Sequence, residues 1–274
     1  MTSQAASLGV RLPWLTLLLL IGGAPSRAAD TPTGEELMKQ AHLNLYYAGD
    51  DGRTVVSMTL ADKNGKTRSR KFVMVRKDYE EGGAQKYYTY FLEPADVQRT
   101  SFMVWKDPAK DDSRWIFVPA VDLVKRISAK DKGSSFVGSD FSYEDVSGRP
   151  WTDDAHVLLR EDTLDGSAVW VIESKPVEAG DSFARKLTWI DQARLLPLRE
   201  EYYDAKDRLV KTFRAETVEE VDGYVTVTKR SMTNELKGHR TTVEFSGIDY
   251  DAGIPDDTFT ERALRNPPAE LVRM

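Results

Sequence analysis

The spacing of hydrophobic and polar positions changes period once along the chain. Thr33 with Glu36 three residues later has the form of a capping box, and Leu37, Ala41 and Leu45 then recur on one helical face. This predicts one helix over about residues 34 to 47. From there the period is two. Val56, Met58 and Leu60 alternate with Val55, Ser57 and Thr59, the run Asp62-Lys63-Asn64-Gly65 supplies a turn, and Phe72 and Met74 open a return strand. Short runs of the same kind follow at about 87–92, 101–106, 114–118, 156–160, 168–174, 184–191, 198–204, 208–215, 224–231 and 240–246. Turn signals such as Asp165-Gly166, Asp204-Ala205-Lys206-Asp207, Asp222-Gly223 and Lys237-Gly238 separate many of them, the spacing of an antiparallel meander and not of βαβ units.

Several strands are two-faced. Leu187 and Trp189 oppose Lys186 and Thr188, Val243 and Phe245 oppose Thr242 and Glu244, and Trp115 shares a face with Phe117 beyond Arg114. An antiparallel sheet of about ten or more strands curls, and its apolar concave face must then be filled by side chains, by a helix or by a guest molecule. Two segments look irregular: 119–155, rich in Gly, Ser, Lys and Asp, and the tail after Gly247 with Pro255, Pro267 and Pro268. Ahead of the helix, Arg11 precedes an apolar run from Leu12 to Ile21, about half of what a spanning helix needs, and Ser26-Arg27-Ala28 has small-x-small form. The expectation is a secretory signal peptide over residues 1–28, cleaved after Ala28, and a single exported domain over 29–274. A retained anchor is disfavoured by the shortness of the run and by Pro13 within it.

Composition narrows the chemistry. Among 274 residues, 41% are hydrophobic, which suffices for a packed core. Lys and Arg number 38 against 44 for Asp and Glu, a net charge of -6 that argues against nucleic acid as a partner. Cysteine is absent, which removes disulfides, thiolate metal sites, cysteine nucleophiles and a lipidated N-terminal cysteine. The histidines His42, His156 and His239 stand far apart, with no His-Glu-x-x-His arrangement, and read as ordinary half-buried or surface residues. Nucleophile-elbow, phosphate-loop and dinucleotide signatures are also missing. The acid pairs Asp111-Asp112, Asp153-Asp154 and Glu200-Glu201 read as solvated loop residues. Asp140, Ser142 and Glu144 are spaced two apart, but Asp145 and Trp151 stand where a calcium loop needs Gly and Glu. No metal or cofactor is expected. The basic run Lys63, Lys66, Arg68, Arg70, Lys71, Arg76 and Lys77 wraps the first hairpin and reads as a solvated sheet edge that blocks strand addition, or as a surface for anionic headgroups or an acidic partner.

Three motifs and the tail carry a resemblance. Trp115-Ile116-Phe117-Val118-Pro119, Lys125-Arg126-Ile127, Phe136-Val137-Gly138-Ser139-Asp140-Phe141-Ser142-Tyr143-Glu144-Asp145 and the ending Ile254-Pro255-Asp256-Asp257-Thr258-Phe259-Thr260-Glu261-Arg262 are similar to a branch of the LolA-like outer-membrane lipoprotein-sorting family. The resemblance implies a mainly β fold: one curved antiparallel sheet forming an incomplete barrel of about ten or eleven strands, plugged by the N-terminal helix and short helical loop segments. It also implies a non-enzymatic, monomeric periplasmic carrier that holds the acyl chains of a lipid or lipoprotein and works with an inner-membrane RND-type exporter. The alternative on the same fold is a periplasmic regulator or assembly factor that senses lipoproteins or binds a protein partner. It leaves the job of the Gly138–Asp145 stretch open between turn chemistry and partner docking. Strand parity nominates Met58, Leu60, Phe72, Met74, Trp115, Phe117, Trp170, Leu187, Trp189, Val243 and Phe245 as the lipid-binding wall of one cavity.

Overall fold

The computed structural model describes residues 1–2, 31–178 and 182–273; the expected leader falls almost wholly outside them. Helix α1 (Gly34–Tyr46) starts where the capping box places it. The Glu36 N–H donates to Thr33 Oγ1 at 3.2 Å, and the Thr33 N–H donates to Glu36 Oε2 at 2.8 Å, so two otherwise orphaned donors are satisfied. Its buried stripe is Leu37, Met38, Ala41 and His42.

Thirteen strands follow. The first six are β1 (Asp51–Ala61), β2 (Thr67–Asp78), β3 (Gln85–Glu93), β4 (Ser101–Asp107), β5 (Lys110–Val118) and β6 (Leu123–Ile127). The other seven are β7 (Asp154–Leu164), β8 (Ser167–Pro176), β9 (Arg185–Asp191), β10 (Pro197–Tyr203), β11 (Leu209–Val221), β12 (Tyr224–Asn234) and β13 (His239–Tyr250). They form one antiparallel sheet in the order β6-β5-β4-β3-β2-β1-β13-β12-β11-β10-β9-β8-β7. The sheet is not closed into a barrel, as an incomplete barrel requires. It is two meanders joined at their outer ends in sequence: β1 pairs with β13, placing Val56 opposite Phe245 and Met58 opposite Val243. The free edges are therefore β6 and β7, which are consecutive in the chain. The connection between them, residues 128–153, crosses the inner face.

Three expectations are corrected. The strand missing from the sequence reading is β6, whose Leu-Val-Lys-Arg-Ile run is mostly exposed and so lacks an inside–outside alternation. The β1–β2 hairpin lies in the middle of the sheet, between β13 and β3, so its basic residues do not guard an edge. Arg76 instead pairs with Asp78 at 2.6 Å, Lys77 pairs with Asp256 at 3.0 Å, and Lys63, Lys66 and Arg68 remain exposed. The tail after Gly247 is not loose. It carries β13 on to Tyr250 and then packs a turn (Asp256–Phe259) and two short helices, α2 (Glu261–Arg265) and α3 (Ala269–Val272), on the outer face of β2–β5. There Ile254, Phe259, Leu264 and Leu271 cover Val73, Tyr88, Met103, Trp115 and Phe117. Tyr88 Oη donates to the Ala263 carbonyl at 2.8 Å, and Trp105 Nε1 donates to the Phe259 carbonyl at 3.0 Å. This half of the sheet is buried on both faces, which explains the unbroken buried run Tyr87, Tyr88, Thr89, Tyr90 and Phe91 in β3.

The other half is covered on its inner side by α1, where Leu37, Met38 and Ala41 meet Ile172 and Ile190. His42 and His156, far apart in sequence, are both buried here rather than at the surface. His42 packs against the rings of Tyr46 and Tyr47 at 5.2 and 5.6 Å. His156 Nε2–H donates to the Trp151 carbonyl at 2.7 Å, which leaves Nδ1 to accept from Ser174 Oγ at 2.8 Å. Burial, with Lys106 and Lys186 nearby, holds His42 well below the usual 6.5, and burial also lowers His156.

Two predictions follow from this packing. Phe259→Ala removes a ring that is 0% exposed, so the unfolding free energy falls by about 3–5 kcal/mol, read from the urea midpoint. For the histidines, the folded state binds the proton less tightly than the unfolded chain. Their contribution is intact above pH 6.5 and is lost as the pH falls below it, by up to roughly 1.4 kcal/mol per pH unit for each group. Urea unfolding repeated from pH 7 down to 5 should show falling stability, and His42→Phe, which keeps the packing without the titration, should flatten part of that slope.

Candidate functional site

The inner face of the central strands is apolar because Val56, Met58 and Leu60 of β1, Phe72 of β2, Val243 of β13 and Met232 of β12 all point to it. The 128–153 connection stoppers this face. Phe136, 0% exposed, lies with its ring 6.2 Å from Phe72, 5.8 Å from Phe91 and 5.3 Å from Phe102. Phe141, Val146 and the partly buried Tyr143 belong to the same cluster. The ten-residue motif is thus the stopper itself, and most of its members have an identifiable task.

Polar contacts latch the stopper to strands from both halves of the sheet. Arg70 of β2 donates to the Val137 carbonyl. The Asp140 N–H donates to Thr241 Oγ1 of β13 at 3.0 Å, and that hydroxyl donates to Asp140 Oδ2 at 2.7 Å. Ser142 and Asp145 form a second capping box on the helical turn Tyr143–Ser147, and Lys211 of β11 donates to Asp145 Oδ2 at 2.8 Å. Although burial raises the Asp145 pKa, Lys211 and the capping hydrogen bonds outweigh it and hold the carboxyl below its usual range. Lys106 of β4 donates to the carbonyls of Ser147 and Gly148 at 2.8 and 2.9 Å. Burial pushes its pKa down to about 8. Gly148, at φ 78°, lies where a Cβ would stand 2.8 Å from the Tyr46 ring of α1, so stopper and helix meet with no room for a side chain.

Three of the hollows that border the stopper share a lining residue, and a fourth, the largest at about 1680 Å³ with the solvent at its mouth, lies between α1, the stopper and residues 106–112. The first of the three, about 850 Å³ and also open to solvent, is bounded by α1, the stopper, β7 and β9–β12. Its wall is charged, in contrast to the greasy hollow expected from strand parity. Glu144 and Asp154 face Arg149, Glu200 pairs with Lys186 at 2.8 Å, and Asp145 pairs with Lys211. Glu200 holds buried Lys186 above its ordinary pKa against the effect of burial, while burial and the Glu200 carboxylate raise the Tyr202 phenol. One member of each acid pair is withdrawn from solvent, Asp154 and Glu201 by burial and Asp112 by its pair with Arg114 at 2.6 Å, while Asp111 is exposed as expected. Every carboxylate among this hollow's described lining residues has a cation, and both ring nitrogens of His156 are hydrogen-bonded. The second hollow, about 740 Å³, lies between α1, β1–β3, β12 and β13, with Met74, Val146, Val227, Phe245 and Ile248 among its apolar lining. The third is a slot of about 290 Å³ directly under Phe136 and Phe141.

The nominated wall residues divide. Met58, Phe72, Met74, Val243 and Phe245 line the slot, and Leu60 shares their cluster. Trp170 faces inward elsewhere, against the α1 cluster. Trp115 and Phe117 are on the outer face beneath the C-terminal tail, and Leu187 and Trp189 are in a separate cluster with Val169 and Val171. These four and Trp170 do not share a wall with the other six. Parity gives two faces per strand but not which face is inner, and a covering tail makes the outer face just as apolar. The reading also missed Arg230 of β12, which lines all three hollows. Its parity with inward-facing Met232 was the available signal.

Comparison with known proteins sets this geometry in a family. A family profile described as an uncharacterized protein family matches residues 83–266. A search of the curated proteins gives no match. A DUF1329 family protein from Desulfovibrio piger superposes with a TM-score of 0.78 at 31% identity, covering 84% of this chain and 97% of that one. A putative outer membrane lipoprotein-sorting protein domain from Vibrio parahaemolyticus gives 0.78 at 27% identity, covering 85% and 98%. A LolA superfamily protein from Nitrosomonas europaea gives 0.66 at 21% identity over 85% and 99%, a likeness of fold. With a thirteen-stranded unclosed sheet, a stopper on its inner face and these relatives, the chain belongs to the DUF1329 family and has a LolA-like fold.

Proposed function

We propose that this protein is a non-enzymatic periplasmic carrier that takes the acyl chain of a lipid or lipoprotein onto the inner face of its sheet when the 128–153 stopper lifts. The observation that carries this reading is the stopper: aromatic rings fill an apolar face, while the backbone around them is held by separable polar contacts. Magnitudes favour exchange with a hydrocarbon. Re-exposing Phe136 and Phe141 costs roughly 3–6 kcal/mol, whereas a chain of about ten buried methylenes gains roughly 8 kcal/mol. The proposed wall is Met58, Leu60, Phe72, Met74, Val243 and Phe245. Two findings support the reading: the Vibrio parahaemolyticus relative is a putative outer membrane lipoprotein-sorting domain, and no helix among the described residues is long and apolar enough to cross a membrane. Transfer towards the outer membrane from an RND-type exporter completes the proposal, with residues 1–28 as the export signal.

The test is to lock the stopper. Asp140 and Thr241 have side chains in contact, and the chain has no cysteine of its own, so Asp140→Cys with Thr241→Cys creates a single possible bridge. A neutral pyrene-labelled acyl chain should bind the reduced double variant and the unaltered protein, and binding should fall about tenfold or more when the bridge is closed. Mass spectrometry of protein purified without detergent should find co-purifying lipid. Equal binding with the bridge open and closed, or no binding of the chain to the unaltered protein, overturns the proposal.

A further inference from the structure

Arg230 lies where the three hollows meet, and among the described residues it has no carboxylate. The other charged residues lining the 740 Å³ hollow are Arg53 and Arg76, each already paired, with Asp249 and Asp78, both at 2.6 Å. No acid is among that hollow's described lining residues. Arg230 Nε is buried without an acceptor, and the guanidinium instead lies 4.9 Å from the Phe245 ring and 5.6 Å from the ring of Phe141 in the stopper. The acids of the neighbouring polar hollow do not supply its partner: Glu144 and Asp154 are taken by Arg149, Asp145 by Lys211 and Glu200 by Lys186.

A guanidinium keeps its charge at every physiological pH and presents a planar fork of donors that fits a carboxylate or phosphate in two parallel hydrogen bonds. Left without an acceptor, such a buried donor is a cost to the folded protein. We infer that Arg230 is the anchor for an acid headgroup, carboxylate or phosphate, on the hydrocarbon cargo. This rests on the carrier reading above and adds the cargo class: an anionic amphiphile, with its head in the arginine-lined hollow and its tail in the slot the stopper vacates. The placement fits because Arg230 stands directly opposite Val243 across β12 and β13, and Val243 lines that slot. Lifting the stopper also takes Phe141 from the guanidinium, so the anion arrives as the ring contact is lost.

The experiment titrates the unaltered protein with a long-chain fatty acid and its methyl ester, with an alkyl phosphate and the alcohol of the same chain length, and with inorganic phosphate alone. The acids should bind about tenfold or more tighter than their neutral counterparts, and inorganic phosphate should not compete at concentrations that saturate with the alkyl phosphate. Arg230→Gln should abolish the preference of each acid over its neutral counterpart, while Arg230→Lys should keep part of it. Equal binding of acid and ester to the unaltered protein overturns the inference and leaves the carrier reading standing; no binding of any chain overturns both. Competition by inorganic phosphate at equal concentration assigns the site to a free anion and overturns the inference. The comparison on the unaltered protein decides even if Arg230→Gln does not fold.

Discussion

An apolar sheet face that does not close on itself has to be covered, and the topology determines what covers it. Because the outermost strands in sequence, β1 and β13, pair at the centre, the free edges are consecutive in the chain and the segment joining them must cross the open side. That crossing segment carries Phe136, Phe141 and Val146 into the apolar cluster of β1, β2 and β13. Cover and connection are the same piece of chain. A carrier built this way needs no separate lid, since detaching the connection from the inner face exposes the hollow while β6 and β7 stay paired with their neighbours.

The charged side of the interior follows a different logic. Buried ion pairs add little to stability when their desolvation is counted, but removing one partner is costly. Beside α1 the pairs Lys211–Asp145 and Arg149–Asp154 join the stopper to the far half of the sheet, Arg149–Glu144 ties the stopper to itself, and Lys186–Glu200 ties two strands of that half together. Such contacts specify where the stopper sits without making its seat hydrophobic on every side. They also give each of those four carboxylates a cation, while Arg230 has no carboxylate within ion-pair distance among the described residues.

Much of the fold was legible in the sequence, and the site only partly so. Thr33 and Glu36 set the start of α1 to the residue, because a capping box is a local device whose partners are three residues apart. Alternation located nearly every strand and missed β6, an exposed edge where charged residues have no reason to alternate. The face on which an alternating residue lies is not local information. Trp115 and Phe117 have the same pattern as Val243 and Phe245, yet the first pair is buried by a tail more than a hundred residues away. The convergence of His42, Glu144, Asp154, His156 and Arg230 depends on strand order, and single-sequence periodicity does not report strand order.

The stopper's own backbone bears on how readily it moves. Val137 adopts φ 46° and ψ 40°, a left-handed conformation that a β-branched residue occupies at a cost of order 1–3 kcal/mol. It sits between Phe136, which is fully buried, and Gly138, whose φ of 79° costs glycine nothing. The turn is thus held in a strained form by the seating of the adjacent ring and by the Arg70 bond to its carbonyl. Were the ring to leave its seat as the carrier proposal requires, relief of that strain would return part of the burial energy lost, and the seated and lifted states would lie closer in free energy than the aromatic contacts alone imply. In the carrier proposed above, a stopper balanced in this way would yield to a ligand whose own burial gain is only a few kcal/mol larger than the stopper's, the regime in which uptake and release would both be accessible.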